Sequence, residues 1–264
     1  IMDQMSQYIV TNGDYVVCNV DYRLLGDQDN SVTLDQIVSD VFGAVLWAKE
    51  NIGQYQGDAK RFAVTGDSAG AHLSASVVNL GHLLSADGYA LGNLKFRPSY
   101  LPAGMSPEQV VLNRGLEVQA AVLSYGAFDI SSRGAGNFET WKNPFWYMGG
   151  ALPRGIFGDA YTLQTHPDLY QGVSPIHNIP LSADRSLPPQ LLTVGTEDPL
   201  TTPKLVQEYL AKLRGAGHAA EYWEHQGRSH AFLDSGDSFA KDAPPALDVM
   251  LTFLNSVFYP QPRQ

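Results

Sequence analysis

The sequence predicts an α/β fold, a mostly parallel central sheet wrapped by helices on both faces, and three observations lead there. Short apolar, β-prone runs alternate with helix-patterned stretches along most of the 264 residues, without internal repeats. One such run, residues 61–65, leads straight into Gly66-Asp67-Ser68-Ala69-Gly70, and a helical stretch over 71–84 follows at once. The length suits one large domain over 1–264.

The elements follow in chain order. Residues 5–11 read as the end of a helix closed by Asn12-Gly13. Residues 15–20 read as a buried strand that also buries the single cysteine, Cys18, as an inert thiol. A helix is expected over 34–51, with Ile37, Val41 and Val45, joined by Val38 and Leu46, facing the sheet and Gly53 just past its end. The run 61–65 is a strand and 71–84 its helix, with Leu73, Val77, Leu80 and Leu84 at helical spacing. Residues 85–117 are irregular, broken by Gly88, Gly92, Pro98, Pro102, Gly104 and Pro107, with a short helical piece near 107–113. A buried strand is expected over 118–125. A second long irregular stretch, 126–189, is rich in aromatics, Gly and Pro. Strands at 190–194 and 220–224, a helix over 203–215 capped by Gly215 or Gly217, and a last helix over 245–258 complete the pattern. Segments 85–117 and 126–189 are too long for plain connections and are expected to form a lid or the walls of a pocket.

Composition narrows the partners. A formal net charge of −10 argues against nucleic acid or an anionic membrane surface, each of which needs a basic face. No run of 18 apolar residues suggests a membrane span. One cysteine excludes an internal disulfide. No His/Cys/Asp cluster has metal-ligand spacing, and no cofactor is called for. The chain opens Ile1-Met2-Asp3-Gln4, without signal-like character, and enters the fold midway, so residues upstream are expected. Cellular compartment and oligomeric state are not legible.

Strand, Gly-x-Ser-x-Gly, helix is the context of a nucleophile elbow. A serine at so sharp a turn is held in a strained backbone conformation, so its neighbours must lack bulk, which Gly66 and Gly70 supply. The turn lifts the Ser68 hydroxyl off the sheet and brings the unpaired N–H groups of a helix start toward it. A serine hydroxyl needs a base within hydrogen-bond reach, itself oriented by a carboxylate. In parallel sheets such partners lie beyond the carboxyl ends of strands. After strand 190–194 comes Glu197-Asp198-Pro199, and after strand 220–224 comes Ser229-His230-Ala231-Phe232. Asp198 is preferred to Glu197 because Pro199 fixes its turn and its shorter arm suits a buried strand end. His230 is preferred among seven histidines. His72 rides the elbow helix with little freedom to reach Ser68 and reads as core or pocket wall, and His225 stands near a strand end or at the surface. The resulting order is Ser68, Asp198, His230.

Four motifs, Gly66-Asp67-Ser68-Ala69-Gly70, Val20-Asp21-Tyr22-Arg23-Leu24, Gly195-Thr196-Glu197-Asp198-Pro199-Leu200 and Ser229-His230-Ala231-Phe232, resemble the hormone-sensitive-lipase-like branch of the α/β-hydrolases. The resemblance implies an α/β-hydrolase fold and hydrolysis of carboxylic esters through an acyl-enzyme on Ser68. His230 would take the hydroxyl proton, Asp198 would hold the imidazole, and the Ala69 N–H would supply one oxyanion donor. That branch also carries a His-Gly-Gly-Gly-type loop before the Asp-Tyr-Arg segment, and nothing in residues 1–12 is similar to it.

The implied partner is a small soluble ester, short-chain acyl or aryl, acetyl or feruloyl esters of plant-wall carbohydrate among them. The aromatic run 138–148 contains Trp141, Phe145 and Trp146, and these, with Asp67, are the candidate pocket residues. Such aromatics line an apolar pocket or stack on a sugar ring, and they equally pack an insert onto its core. Two other readings stand beside the esterase: an amidase or peptidase with the same machinery, and a non-catalytic binding protein on a hydrolase scaffold. The presence of Ser68, Asp198 and His230 together favours catalysis.

Overall fold

The computed structural model describes residues 2–88, 94–148 and 150–260. Four parallel strands lie in the order β1 (Ala63–Asp67), β2 (Ala120–Ser124), β3 (Gln190–Gly195) and β4 (Ala220–His225). Their sequences explain the order of burial. Ala-Ala-Val-Leu-Ser and Gln-Leu-Leu-Thr-Val-Gly are apolar on alternate and intervening positions alike, and β2 and β3 are buried along their whole length in the middle of the sheet. β1 and β4 are the edges and are only partly buried.

Helix Ala69–Leu80 packs on β1 and β2, and Pro203–Gly215 on β3 and β4. Pro244–Phe258 packs on β2 and β3 and carries the N-terminal helix Asp3–Asn12 on its outer side. Since β2 is buried on both faces, the elbow helix and the C-terminal helix cover opposite sides of it. Helix Leu34–Asn51 begins at a reciprocal capping box, in which the Thr33 side chain accepts from the backbone and Gln36 reaches back to the Thr33 N–H. Its buried stripe of Ile37, Val38, Val45 and Leu46 leans on the elbow helix. No helix among the described residues is long and apolar enough to cross a membrane.

One expected strand is not part of the sheet. Residues 15–20 run outside it, with Val16 47% and Val20 37% exposed and Cys18 exposed as well. An apolar run is buried as a strand only where a neighbouring strand takes up its backbone groups. Here the contacts run elsewhere: Tyr15 donates to Asn255 Oδ1 at 2.7 Å, and its ring packs against Phe258 and Tyr259, so the segment is moored to the C-terminal helix. The expected burial of Cys18 is corrected with it, although partial burial still holds its thiol above the ordinary range, in the less reactive protonated form. Just beyond, Arg23 makes a two-point ion pair with Asp40, Nε to Oδ2 and Nη2 to Oδ1 both at 2.7 Å, which fixes the Asp21-Tyr22-Arg23 corner to helix Leu34–Asn51.

Several boundaries differ by one to four residues, among them the strand expected over 118–125, which spans Ala120–Ser124. The elbow strand begins at Ala63 and the elbow helix stops at Leu80, because Leu84 leaves the helix to bridge Phe96 in the first insert. Of that insert, residues 89–93 lie outside the described residues.

Candidate active site

The strands are paired so that their carboxyl ends align, Asp67 with Ser124, Ser124 with Thr193 and Gly195 with His225. The chain therefore leaves β1, β2, β3 and β4 along one edge, and the candidate residues lie there.

Ser68 has φ +49° and ψ −111°, a backbone state that L residues rarely adopt. The neighbours tolerate this turn unequally. A Cβ at Gly66 would lie 2.3 Å from both the carbonyl carbon and oxygen of Gly70, so no side chain fits there. A Cβ at Gly70 would meet only Asp67 Oδ1 at 3.6 Å, an ordinary contact. Of the two glycines expected to be required, only Gly66 is sterically so. Gly66→Ala is expected to cost about 3 kcal/mol, the upper range for overpacking. Gly70→Ala should lie within about 1 kcal/mol of the parent, and urea unfolding of both variants checks the contrast.

Asp198 is brought to the edge by a second close approach. A Cβ at Gly195 would meet the Arg228 carbonyl oxygen at 2.2 Å, and the Glu197 N–H donates to that same carbonyl at 2.9 Å. This clamps the turn after β3 against the loop after β4. Glu197 is left exposed and Asp198 is 3% exposed. Asp198 Oδ1 accepts the N–H groups of Leu200 (2.8 Å) and Thr201 (2.9 Å), and Oδ2 faces His230 Nδ1 at 2.7 Å. His230 Nε2 lies 2.8 Å from Ser68 Oγ. Since a carboxylate only accepts, Nδ1 carries the ring proton and Nε2 accepts from the serine hydroxyl. Burial pushes the Asp198 carboxyl up, but the hydrogen bonds from His230, Thr201 and Leu200 outweigh it and hold the group below the usual range. Ser68, His230 and Asp198 thus form one continuous relay.

The other histidines have separate tasks. His225 is buried at the end of β4, with Nε2 2.7 Å from the Asp242 carbonyl. His72 is buried on the elbow helix with Nε2 2.9 Å from the Val173 carbonyl, and burial lowers its pKa to about 4 from 6.5. His72 has consequences for stability. Above pH 6.5 it is neutral in both folded and unfolded chains. Between 6.5 and about 4 only the unfolded chain takes up the proton, so stability falls with falling pH, by about 3 kcal/mol in all. Urea unfolding at pH 7 and pH 4.5 should show this loss, and His72→Gln should reduce it.

Ala69 heads the elbow helix and is exposed at this edge, and its N–H is among those with no acceptor inside the helix. Asp67 is half-buried beside Tyr125, whose hydroxyl is 3.5 Å from Oδ2. Burial, then the charge of Asp234, raises the Asp67 carboxyl above its ordinary range. The aromatic candidates separate. Trp146 is 3% exposed and its ring N–H donates to the Phe138 carbonyl at 2.7 Å, which packs the insert upon itself. Trp141 is 59% exposed beside Tyr147, and Phe145 is exposed too. None of the three belongs to the hydrogen-bonded set around Ser68.

Sequence reasoning passed over Thr201 and Tyr125. The spacing Asp198-Pro199-Leu200-Thr201 is the signal that could have found the first, since an Asp whose side chain caps N–H groups two and three residues on is a recurrent turn. Tyr125 had no such signal. Its φ of +40° and the edge-on packing of its ring against His230, centroids 4.8 Å apart, arise only in the folded chain.

A nucleophile elbow on a parallel sheet, with base and acid on later strand ends, defines a class, and comparison with known proteins agrees. A family model described as α/β hydrolase fold matches residues 1–234. The chain belongs to that family, within the hormone-sensitive-lipase-like branch its motifs resemble. It is similar to esterase LipQ of Mycobacterium tuberculosis, 31% identical over 196 residues, covering 74% of this chain and 38% of that protein. Esterase LipC of the same organism is 28% identical over 249 residues, 92% of this chain and 51% of that one. The chain thus spans about 38% and 51% of the length of these two relatives. Among solved structures, the propionate-bound esterase Est2 of Thermogutta terrifontis superposes with a TM-score of 0.63 at 21% identity, over 99% of this chain and 78% of that one, a likeness of fold.

Proposed function

We propose that the protein is a serine carboxylesterase. The observation that carries this reading is the relay from Ser68 Oγ through His230 to Asp198, at 2.8 and 2.7 Å. The esterase names of its relatives support it. As Ser68 Oγ attacks the ester carbonyl, its proton passes to His230 Nε2, and the imidazolium is stabilised by Asp198 Oδ2. The carbonyl oxygen becomes an oxyanion at the start of the elbow helix, where the Ala69 N–H donates to it. Collapse of this intermediate releases the alcohol with the proton from His230 and leaves an acyl-enzyme. Water, deprotonated by the same imidazole, then attacks the acyl carbon, and the acid leaves as Ser68 regains its proton.

The substrates are small neutral esters with short acyl or aryl groups. An acidic chain carries no attraction for anionic esters. We assign the segments at 85–117 and 126–189 to the walls of the pocket. Trp141 and Phe145 are free to meet an aryl or sugar substituent, whereas Trp146 is committed to packing. A panel of p-nitrophenyl esters from acetate to palmitate tests the reading. Turnover highest at two to six carbons supports it, and no hydrolysis of any ester rejects it.

A further inference from the structure

The Thr201 hydroxyl stands at the centre of contacts that the relay alone does not require. Thr201 is 3% exposed. Its Oγ1 lies 2.9 Å from Asp198 Oδ2, 2.9 Å from the Tyr125 carbonyl oxygen and 3.4 Å from His230 Nδ1. Its backbone N–H meanwhile donates to the other carboxylate oxygen, Oδ1. Both oxygens of Asp198 are thus held from one residue. The Tyr125 carbonyl belongs to a residue with φ +40°, whose ring packs edge-on against His230 and whose hydroxyl accepts the Leu233 N–H at 3.3 Å. Acid, base and the end of β2 therefore all approach one hydroxyl.

We propose that Thr201 is a positioning residue of the hydrolytic site, its hydroxyl fixing Asp198 so that Oδ2 faces Nδ1 of His230. The physical argument rests on the count of protons. The hydroxyl has one to give, and two acceptors stand equally near. Donation to the carboxylate is charge-assisted and is the stronger choice. With Oδ1 occupied by two backbone N–H groups and Oδ2 shared between Thr201 and His230, the carboxylate has no free rotation left. Without the hydroxyl, Oδ2 keeps only the imidazole, and the carboxylate can tilt about its backbone-held oxygen. The same loss leaves the carboxylate with one donor fewer, so it stabilises the imidazolium more. The other charged groups felt at this pair, Asp67 and Asp234 near His230 and Arg133 near Asp198, stay in place.

The inference rests on the esterase reading, and its test separates the two. Thr201→Val keeps the shape and removes the hydroxyl, and Thr201→Ser restores it. Both are compared with the parent for ester hydrolysis across pH, with thermal unfolding as the control for folding. Thr201→Val should lower kcat about tenfold, the scale of one hydrogen bond to a charged group, with KM within twofold. The acid limb of its kcat/KM profile should move to higher pH, and Thr201→Ser should recover both. Should the valine variant not fold, Thr201→Ala, which only removes atoms, gives the same comparison. A parent-like rate and acid limb in the hydroxyl-free variant overturns the role, as does a serine variant as impaired as the valine one. A parent that hydrolyses no ester overturns the esterase reading, and this inference with it.

Discussion

Ser68→Ala is expected to lower ester hydrolysis by a factor on the order of 10⁶, to the level of background, because nucleophile and base act as a unit. The loss should come without loss of fold. Ser68 is only partly buried, alanine meets the same backbone strain at φ +49°, and what disappears is one hydroxyl bonded to a base at a partly exposed edge. The melting temperature should stay within about 2 °C, equivalent to less than 1 kcal/mol for a chain of this size. Stopped assays with a chromogenic ester, run beside calorimetry, measure both quantities. Retained hydrolysis would show that another residue carries the reaction.

His230→Ala is expected to be nearly as damaging, and His225→Ala supplies the contrast. The two histidines lie five positions apart on the same strand end, but their partners differ. Nε2 of His230 meets Ser68 Oγ, whereas Nε2 of His225 meets the carbonyl of Asp242. Removing the first takes the proton acceptor from the serine. Removing the second takes the ring N–H from a half-buried carbonyl, a cost of about 1 kcal/mol in stability with the chemistry intact. Adding His230→Ala to Ser68→Ala should cost almost nothing more in rate. In the parent, activity should fall on the acid side of its pH profile, since only a neutral imidazole accepts a proton. Equal loss from His225→Ala would show that the base is misassigned.

Much of the fold was legible in the sequence because its main signals are local. Helix Leu34–Asn51 is announced by its apolar stripe and by Gly53 just past its end. Pro203–Gly215 starts at a proline placed where its missing N–H does no harm. β2 and β3 are mostly apolar, as centrally buried parallel strands tend to be. Residues 15–20 have the same composition and a different fate, because membership of a sheet depends on a neighbouring strand and not on the run itself. In the site, chain order pointed to Ser68, Asp198 and His230 as candidates, since each stands just past a strand end. What brings them within 3 Å could not be read in this way. Gly195 against Arg228 and Thr201 against Tyr125 are contacts between segments far apart in sequence, and the positive φ of Tyr125 and Ala231 is set only in the folded chain. The aromatic run was ambiguous for the same reason: only folding decides that Trp146 turns inward to Phe138 while Trp141 faces solvent.

The central claim is that Ser68 is an activated nucleophile, and covalent labelling tests it most directly. The protein would be treated with a fluorophosphonate at neutral pH, its intact mass recorded, and the modified peptide sequenced. A single adduct on Ser68, absent from Ser68→Ala and from His230→Ala, is the predicted result. No adduct, or one on a residue other than Ser68, would contradict it.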